Sequence, residues 1–187
     1  MRCFLNCLVP VMALALLCGT AAPAQSPTYR LGRSPSDEEV RAWDIAIGPT
    51  GKELPPGSGN AKEGAKVFTQ RCGACHGPTG DGGALGPRLV EGKAPHPRKT
   101  LGSFWPFATT IWDYINRSMP RGQEGSLQPG EVYAVTAYLL YRNGIIQESD
   151  VMDAKSLPKV PMPNRNGFIP PEPVWKPGMR RTPGFYP

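Results

Sequence analysis

The residues best suited to chemistry in this 187-residue chain are two cysteines and a histidine that lie within one short run. The run reads Cys72-Gly73-Ala74-Cys75-His76. Each thiol of a Cys-x-x-Cys-His run can add to one vinyl group of a haem, and the adjoining imidazole can take an axial position on the iron. The run therefore predicts one covalently bound haem c, with Cys72 and Cys75 as attachment residues and His76 as an iron ligand.

A structural zinc site and a dithiol redox centre are the competing interpretations of this motif. Structural zinc takes four nitrogen or sulfur ligands, usually as two separated pairs. No second pair is available, because the remaining candidates in the sequence are His96 and three cysteines near the N-terminus, Cys3, Cys7 and Cys18. A thioredoxin-like centre needs a βαβ setting, whereas Gly- and Pro-rich segments flank this motif and a helix is predicted only on its N-terminal side. Haem attachment is favoured over both.

Residues 1–24 have the features of a secretory signal peptide. Arg2 supplies the positive start, residues 8–17 the apolar core, and residues 22–24 a small-residue cleavage site. We expect cleavage near Ala24 and a periplasmic protein. Export would also remove the three N-terminal cysteines, leaving Cys72 and Cys75 as the only thiols of the mature chain.

Two other fates of the leader are less favoured. A retained membrane anchor conflicts with Asn6, Pro10 and Gly19, which interrupt the apolar run. Lipid attachment at Cys18 conflicts with Leu17, because a small residue is expected before a lipidated cysteine. No later segment is long and apolar enough to span a membrane, so we expect no membrane insertion after cleavage.

The charge balance narrows the choice of partners. The formal net charge is +6, and the leader contributes only Arg2 to it. A modest positive charge suits docking on an acidic protein surface, and it equally suits plain solubility. Nucleic-acid binding is not expected, because the chain has no dense Lys/Arg run and carries an export signal.

Composition divides the mature chain into three regions. Residues 25–59 read as an extended N-terminal arm with one helix, over 36–45, whose Ser36 and Glu39 form a capping-box pattern. Residues 60–147 read as a compact domain. Residues 148–187 read as an extended, Pro-rich C-terminal arm, because nine prolines between Pro158 and Pro187 prevent regular helix.

Three helices are predicted inside the domain, at 61–71, 107–117 and 129–142, and weak strand signals make it all-α. Asn60 and Glu63 mark the start of the first, while Asn143-Gly144 is a stop signal for the last. The positions that helical spacing assigns to buried faces are Gly64, Phe68, Ile111, Trp112, Ile115, Val132, Val135, Tyr138 and Leu139.

A second iron ligand would decide between an open and a closed haem site. Met119 is the leading candidate, since it follows the second helix and precedes Pro120, which would present its sulfur from a rigid turn. Core packing is the alternative role for this side chain. The rival ligands are His96, Met152, Met162 and Met179.

The glycine-rich stretch after the motif has a predicted part in orienting the histidine. A backbone carbonyl from Gly86-Pro87-Arg88-Leu89 can accept the imidazole N–H of His76 and fix its tautomer. Leu89 would then lie against the haem ring.

Taken together, the motifs resemble the class I cytochrome c domain over residues 60–147. They are Gly64-x-x-x-Phe68, the Cys72–His76 run, Gly86-Pro87-x-Leu89, Met119-Pro120 and Ala137-Tyr138-Leu139. This resemblance implies first and last helices that cross near Gly64, Phe68 and Tyr138, and it favours Met119 as the axial ligand.

Further stretches resemble the cytochrome subunits of bacterial molybdenum sulfite and sulfane dehydrogenases. They are Trp43-Asp44, residues 54–59, residues 99–110, residues 143–146 and residues 162–168. In that family the molybdenum subunit performs the chemistry and the cytochrome takes its electrons. The resemblance therefore implies a non-catalytic electron-transfer subunit, with a molybdenum-cofactor dehydrogenase upstream and a cytochrome or oxidase downstream.

Two alternatives remain beside this one: a free-standing periplasmic electron shuttle, and a haem enzyme with a displaceable sixth ligand. The resemblance also leads us to expect that residues 99–110 cover a haem edge, with Trp105 or Arg98 near a propionate. The aromatic residues of the C-terminal arm are expected to anchor it on its own domain or on another subunit; they are Phe168, Trp175, Phe185 and Tyr186.

Overall fold

Helices are the main regular secondary structure of the described chain, which in the computed structural model comprises residues 31–91, 99–169 and Gly178. In order, the elements are α1 Asp37–Trp43, β1 Ser58–Asn60, α2 Ala61–Arg71, α3 Gly73–His76, α4 Leu101–Phe104, α5 Ala108–Ser118, α6 Pro129–Arg142, β2 Val151–Asp153 and a 3-10 turn at Leu157–Lys159. The all-α prediction is confirmed. The predicted leader, His96, Arg98, Trp175, Met179, Phe185 and Tyr186 lie outside the described residues.

Helix α1 belongs to a separate unit that ends at Trp43. Its capping box is confirmed, because the Glu39 amide donates to Ser36 Oγ at 3.2 Å and the Ser36 amide donates to the Glu39 carboxylate at 2.8 Å. The Arg33 guanidinium beside Glu39 lowers the pKa of that carboxyl to about 2. No residue of α1 is buried, and Trp43 is 85% exposed.

The second unit begins at Asp44, and its first long helix is α2. Asn60 Oδ1 accepts the amides of Lys62 at 3.0 Å and Glu63 at 3.1 Å, while the Glu63 carboxylate accepts the Asn60 amide at 3.0 Å. Both capping-box bonds are therefore present, and α2 has the predicted bounds. Within residues 31–91 and 99–169, no helix is both long and apolar enough to cross a membrane.

Helices α2 and α6 pack against each other at a point where their backbones nearly touch. A Cβ atom placed on Gly64 would lie 1.9 Å from the backbone oxygen of Ala134. Next to this point the rings of Phe68 and Tyr138 pack with centroids 5.1 Å apart. The predicted contact of the first and last helices is confirmed.

Helix α6 forms the centre of the core. It spans the predicted residues Pro129–Arg142, and Gly144, with a φ of 70°, follows Asn143 at its C-terminus. Every residue from 132 to 140 is buried, so the predicted single stripe was too narrow. The reason is that α2, α5, β1 and β2 all pack on α6.

Helix α5 runs one residue later than predicted, from Ala108 to Ser118, and buries Ile111, Trp112 and Ile115 as expected. Its Asp113 carboxylate accepts the backbone amide of Ile47 at 2.9 Å and the Nε of Arg117 at 2.9 Å. The bond from Ile47 connects a segment that precedes the predicted domain to a helix of the core.

The chain on both sides of residues 60–147 contributes to the core. Strands β1 and β2 pair antiparallel, with Gly59 opposite Met152, and the Tyr133 hydroxyl donates to the carbonyl of Pro55 at 2.9 Å. Four side chains after residue 150 are buried in the core cluster: Met152, Leu157, Val160 and Met162. The predicted domain boundaries stay a prediction.

The segment that contains Arg165 and Phe168 packs on the end of α4 and on the residues that follow it. The ring of Phe168 meets that of Phe104 edge-on, with centroids 5.4 Å apart. Arg165 lies over the ring of Phe107, 4.6 Å from its centroid. Phe168, one of the four predicted anchors, therefore contacts its own chain.

Candidate functional site

The Cys72–His76 run forms a single helical turn that directly continues α2. The Cys72 amide donates to Phe68 O at 2.8 Å and closes α2, and the His76 amide donates to Cys72 O at 3.0 Å and closes α3. A spacing of three residues on a helical turn places two side chains on the same face. Cys72 is half-buried and Cys75 is exposed, and both are free thiols.

Burial raises the pKa of Cys72 to about 11, with the charge of Arg71 acting in the opposite direction. The Cys72 thiol is therefore neutral at neutral pH and behaves as an apolar group. The Arg71 guanidinium itself donates to Ser126 Oγ at 2.6 Å. The attachment turn thus presents two thiols beside a cationic residue.

The orientation of His76 is fixed by a backbone carbonyl. Its Nδ1 lies 2.8 Å from the carbonyl oxygen of Pro87. Because a carbonyl oxygen can only accept a hydrogen bond, Nδ1 carries the proton, and Nε2 keeps its lone pair for a metal. The predicted contact between the Gly86–Leu89 stretch and the imidazole is confirmed.

Gly86 allows this loop to approach the imidazole closely. A Cβ atom at Gly86 would lie 2.8 Å from His76 Nδ1 and 3.0 Å from the carbonyl oxygen of Cys75. Any side chain there would push the loop away from the histidine, so the Pro87 carbonyl could no longer reach Nδ1. Glycine is therefore required at position 86, because a side chain would not fit between the loop and the imidazole.

Two adjoining cavities open beside His76. The larger has a volume of about 430 Å³ and is lined by Cys72, Cys75, His76 and Met119, among others. The smaller has a volume of about 320 Å³. Seven residues line both cavities: His76, Pro87, Leu89, Tyr114, Ile115, Met119 and Leu139. The structure thus brings all four predicted site residues together around one mostly apolar space.

Met119 reaches these cavities because α5 ends just before it. Its amide donates to Ile115 O at 3.0 Å, and its own backbone is extended, with φ −135° and ψ 148°. The rivals Met152 and Met162 are buried in the core and line neither cavity. The rivals His96 and Met179 lie outside the described residues.

The smaller cavity has an aromatic and partly cationic wall. Trp105, from the segment 99–110, lines it and packs against Tyr114 with ring centroids 5.4 Å apart; its place near a haem propionate stays a prediction. Arg88 and Lys99 also line this cavity, and the buried Nε of Arg88 has no hydrogen-bond partner among the described residues. A buried, unpartnered guanidinium nitrogen is suited to an anionic group such as a carboxylate.

Tyr114 and Leu139 line the cavities although no sequence signal assigned them there, whereas Thr100 falls within the predicted segment 99–110. Helical spacing assigned Leu139 to the core, and in the structure it both belongs to the core cluster and lines the cavities. Tyr114 follows the apolar positions 111 and 115 on α5, but a half-exposed tyrosine carries no signal of a cavity. The helix that follows Thr100, α4, was not predicted because four residues are too few to show periodicity.

Comparisons with known proteins agree with this geometry. Residues 61–143 match the family model for cytochrome c. A chain in the crystal structure of the sulfane dehydrogenase SoxCD from Paracoccus pantotrophus is 40% identical, with a TM-score of 0.68, and the match covers 78% of this chain and 73% of that one. The chain belongs to the class I cytochrome c family.

A curated relative points to the same area of metabolism. The thiosulfate dehydrogenase of Stutzerimonas stutzeri (strain A1501) is 29% identical over 111 residues, in a match that covers 52% of this cytochrome. The match spans only 35% of that enzyme's length. This protein is therefore a cytochrome c electron-transfer protein related to sulfur-oxidation enzymes, and its family implies covalently bound haem c.

Proposed function

We propose that Cys72 and Cys75 hold one haem c through thioether bonds, and that His76 Nε2 and Met119 Sδ are its axial ligands. The residues fit such a group, because two thiols on one helical turn, an imidazole with a free Nε2 and a thioether line the same apolar cavity. When bound, the haem supplies a one-electron redox couple, which a thioether ligand shifts to higher potential.

The chain's own residues provide orientation and exclusion of water in this proposal. The Pro87 carbonyl holds the imidazole of His76 in one tautomer. Leu89, Ile115 and Leu139 line both cavities with apolar surface. A dry, pre-oriented site needs little rearrangement when an electron arrives, which suits electron transfer better than substrate turnover.

The ligand assignment is tested by replacing Met119. The full chain, produced in a host that attaches haem c, should gain the mass of one haem and keep it after denaturation. Its oxidised form should show the weak red absorption band of thioether-to-ferric-iron charge transfer. Met119→Ala should abolish the band, whereas Met162→Leu, which alters a buried core methionine, should keep it. A band that survives in Met119→Ala would refute the assignment.

We further propose that this cytochrome is a periplasmic one-haem subunit that accepts electrons from a molybdenum sulfite or sulfane dehydrogenase. A single observation carries the proposal. The match to the SoxCD chain covers 78% of this chain, well beyond residues 61–143 of the cytochrome c family model. The similarity therefore includes flanking sequence that haem binding alone does not require.

Co-purification with a reduction assay tests the partner. The tagged full chain is produced in a sulfur-oxidising host, captured, and analysed for molybdenum, and its haem spectrum is followed after addition of sulfite or thiosulfate. A stable molybdenum-containing complex with rapid haem reduction is expected. Recovery as a monomer that neither sulfur compound reduces would refute the subunit assignment, and would leave a free-standing shuttle. The Cys72→Ser/Cys75→Ser variant, which has no covalent haem, is the control. Any absorption change that it shows after addition of sulfite or thiosulfate comes from reduction of the dehydrogenase itself.

A further inference from the structure

The side chain of Asn143 forms hydrogen bonds with three chain segments that line the smaller cavity. The amide of Asn143, the residue that follows α6, takes part in four hydrogen bonds. Its Oδ1 accepts the Glu91 amide at 2.9 Å and the Thr100 hydroxyl at 3.3 Å. Its Nδ2 donates to the carbonyl oxygens of Leu89 at 3.2 Å and Leu139 at 2.7 Å. Both ends of the amide are thus fully used.

Three of these four partners line the smaller cavity. Leu89 belongs to the loop that orients His76, Thr100 precedes α4, and Leu139 lies on α6. These three segments are not joined by secondary structure, since among the described residues the two strands pair only with each other. Asn143 therefore connects three wall segments that no strand pairing joins.

Glu91 strengthens the same connection from the opposite side. Its Oε1 accepts a hydrogen bond from the Ser103 hydroxyl and, at 2.8 Å, from the Thr100 hydroxyl, whose single proton is shared between Glu91 Oε1 and Asn143 Oδ1. The Ser103 hydroxyl in turn accepts the Thr100 amide at 3.0 Å. A Cβ at Gly102 would lie 2.8 Å from Asn143 Cβ, so α4 sits directly against the asparagine. Half-buried hydrogen-bond networks of this kind fix one arrangement of their segments.

We propose that Asn143 is a positioning residue that holds the loop of Leu89, the start of α4 and the end of α6 closed around the haem. This inference rests on the proposed haem site. Asn143 acts through Leu89, Thr100 and Leu139. Its effect is on the haem environment, because the polarity and water access around a metal centre set its reduction potential. Separation of the walls would admit water, favour the more highly charged ferric state and lower the potential.

Two variants test the proposal in the haem-loaded full chain. Asn143→Leu removes all four hydrogen bonds at similar volume. Thr100→Val removes only the hydroxyl that Asn143 and Glu91 share, and it keeps the shape of a residue that is 4% exposed. We expect a lower reduction potential in both, with the larger decrease in Asn143→Leu. Exchange of the Glu91 amide hydrogen should accelerate at least tenfold in Asn143→Leu. The double variant should lie close to Asn143→Leu, because both changes break one network.

A second asparagine provides the matched control. Asn60→Ala removes the N-cap of α2 and lowers the free energy of unfolding, but Asn60 lines neither cavity. Its reduction potential should therefore equal that of the wild type.

Three outcomes would overturn the inference: an unchanged potential in Thr100→Val, an unchanged potential in Asn143→Leu, or an equal decrease in Asn60→Ala. Each of these leaves the haem assignment intact, provided that the wild type carries haem c and the red band. A wild type without covalent haem would refute the proposed function itself.

Discussion

The close approach of α2 and α6 at Gly64 makes a quantitative prediction about stability. A Cβ atom at this position would lie 1.9 Å from Ala134 O, 2.5 Å from Ala134 C and 2.8 Å from Tyr138 Cβ. Two of these three atoms are backbone, which cannot move aside by rotating a side chain. The Gly64→Ala variant must therefore separate the two helices by more than 1 Å, roughly the shortfall from normal van der Waals contact.

The loss of unfolding free energy caused by that separation depends on the contacts buried where the two helices cross. Overpacking a core costs typically about 1–3 kcal/mol, and a backbone clash at a helix crossing belongs at the upper end of that range. The separation also weakens the packing of Phe68 on Tyr138, whose ring centroids are 5.1 Å apart. We expect Gly64→Ala to lose about 3 kcal/mol of unfolding free energy, or roughly 6–12 °C in Tm for a chain of this size.

Gly130 provides the control on the same helix pair. A Cβ at Gly130 would lie 3.4 Å from Ser58 O, which is ordinary contact. Since alanine is the better helix former, Gly130→Ala should leave stability unchanged or raise it by up to about 1 kcal/mol. Urea unfolding of the haem-loaded protein, followed by far-UV circular dichroism, measures both variants. If Gly64→Ala unfolds within about 0.5 kcal/mol of the wild type, the helices do not approach as closely as described.

Three further predictions concern the hydrogen bond between Tyr133 and the N-terminal flanking segment, the dependence of stability on acid pH, and the cleavage of the signal peptide. Tyr133→Phe should lose about 1 kcal/mol in urea unfolding, because it removes the 2.9 Å hydrogen bond to Pro55 O, and an unchanged value would show that this bond does not hold residues 54–57 in place. Hydrogen bonds from Ser103 and Thr100, with a smaller effect of the Arg88 charge, lower the pKa of Glu91 below 4.5; the resulting stability is complete above about pH 4.5 and is lost as pH falls through the folded-state pKa. The gap in unfolding free energy between wild type and Glu91→Gln should therefore narrow below pH 4.5, and a constant gap would contradict the network around Glu91. Intact mass of the exported protein should correspond to a chain starting at Gln25 plus one haem, and retention of residues 1–24 would contradict the predicted cleavage.

Local signals predicted the parts of this fold that local chemistry determines. The two capping boxes at Ser36 and Asn60 mark helix starts within one residue of those observed, because a cap is made by residues three positions apart. The carbonyl that orients His76 was predicted for the same reason, since it comes from the loop that follows the motif.

The missed features depend on contacts distant in sequence. Strands β1 and β2 have three residues each, too few to show alternation, and their partners are separated by the whole domain. Met152 and Met162 were considered only as rival ligands, because a proline-dense segment gives no periodic signal of burial. The breadth of the buried surface on α6 follows from its neighbours on several sides, which its own sequence does not reveal.

These contacts affect how the partner can be tested. Shortening the chain to the cytochrome c motif region would remove Met152, Leu157 and Met162, which are 5%, 0% and 3% exposed, from the core. It would also break the β1–β2 pair. A shortened protein that failed to capture a dehydrogenase would then report unfolding as readily as loss of a docking surface. The partner therefore has to be sought with the full chain, and any docking role of the flanking segments has to be assigned by substituting exposed residues whose loss leaves the unfolding free energy unchanged.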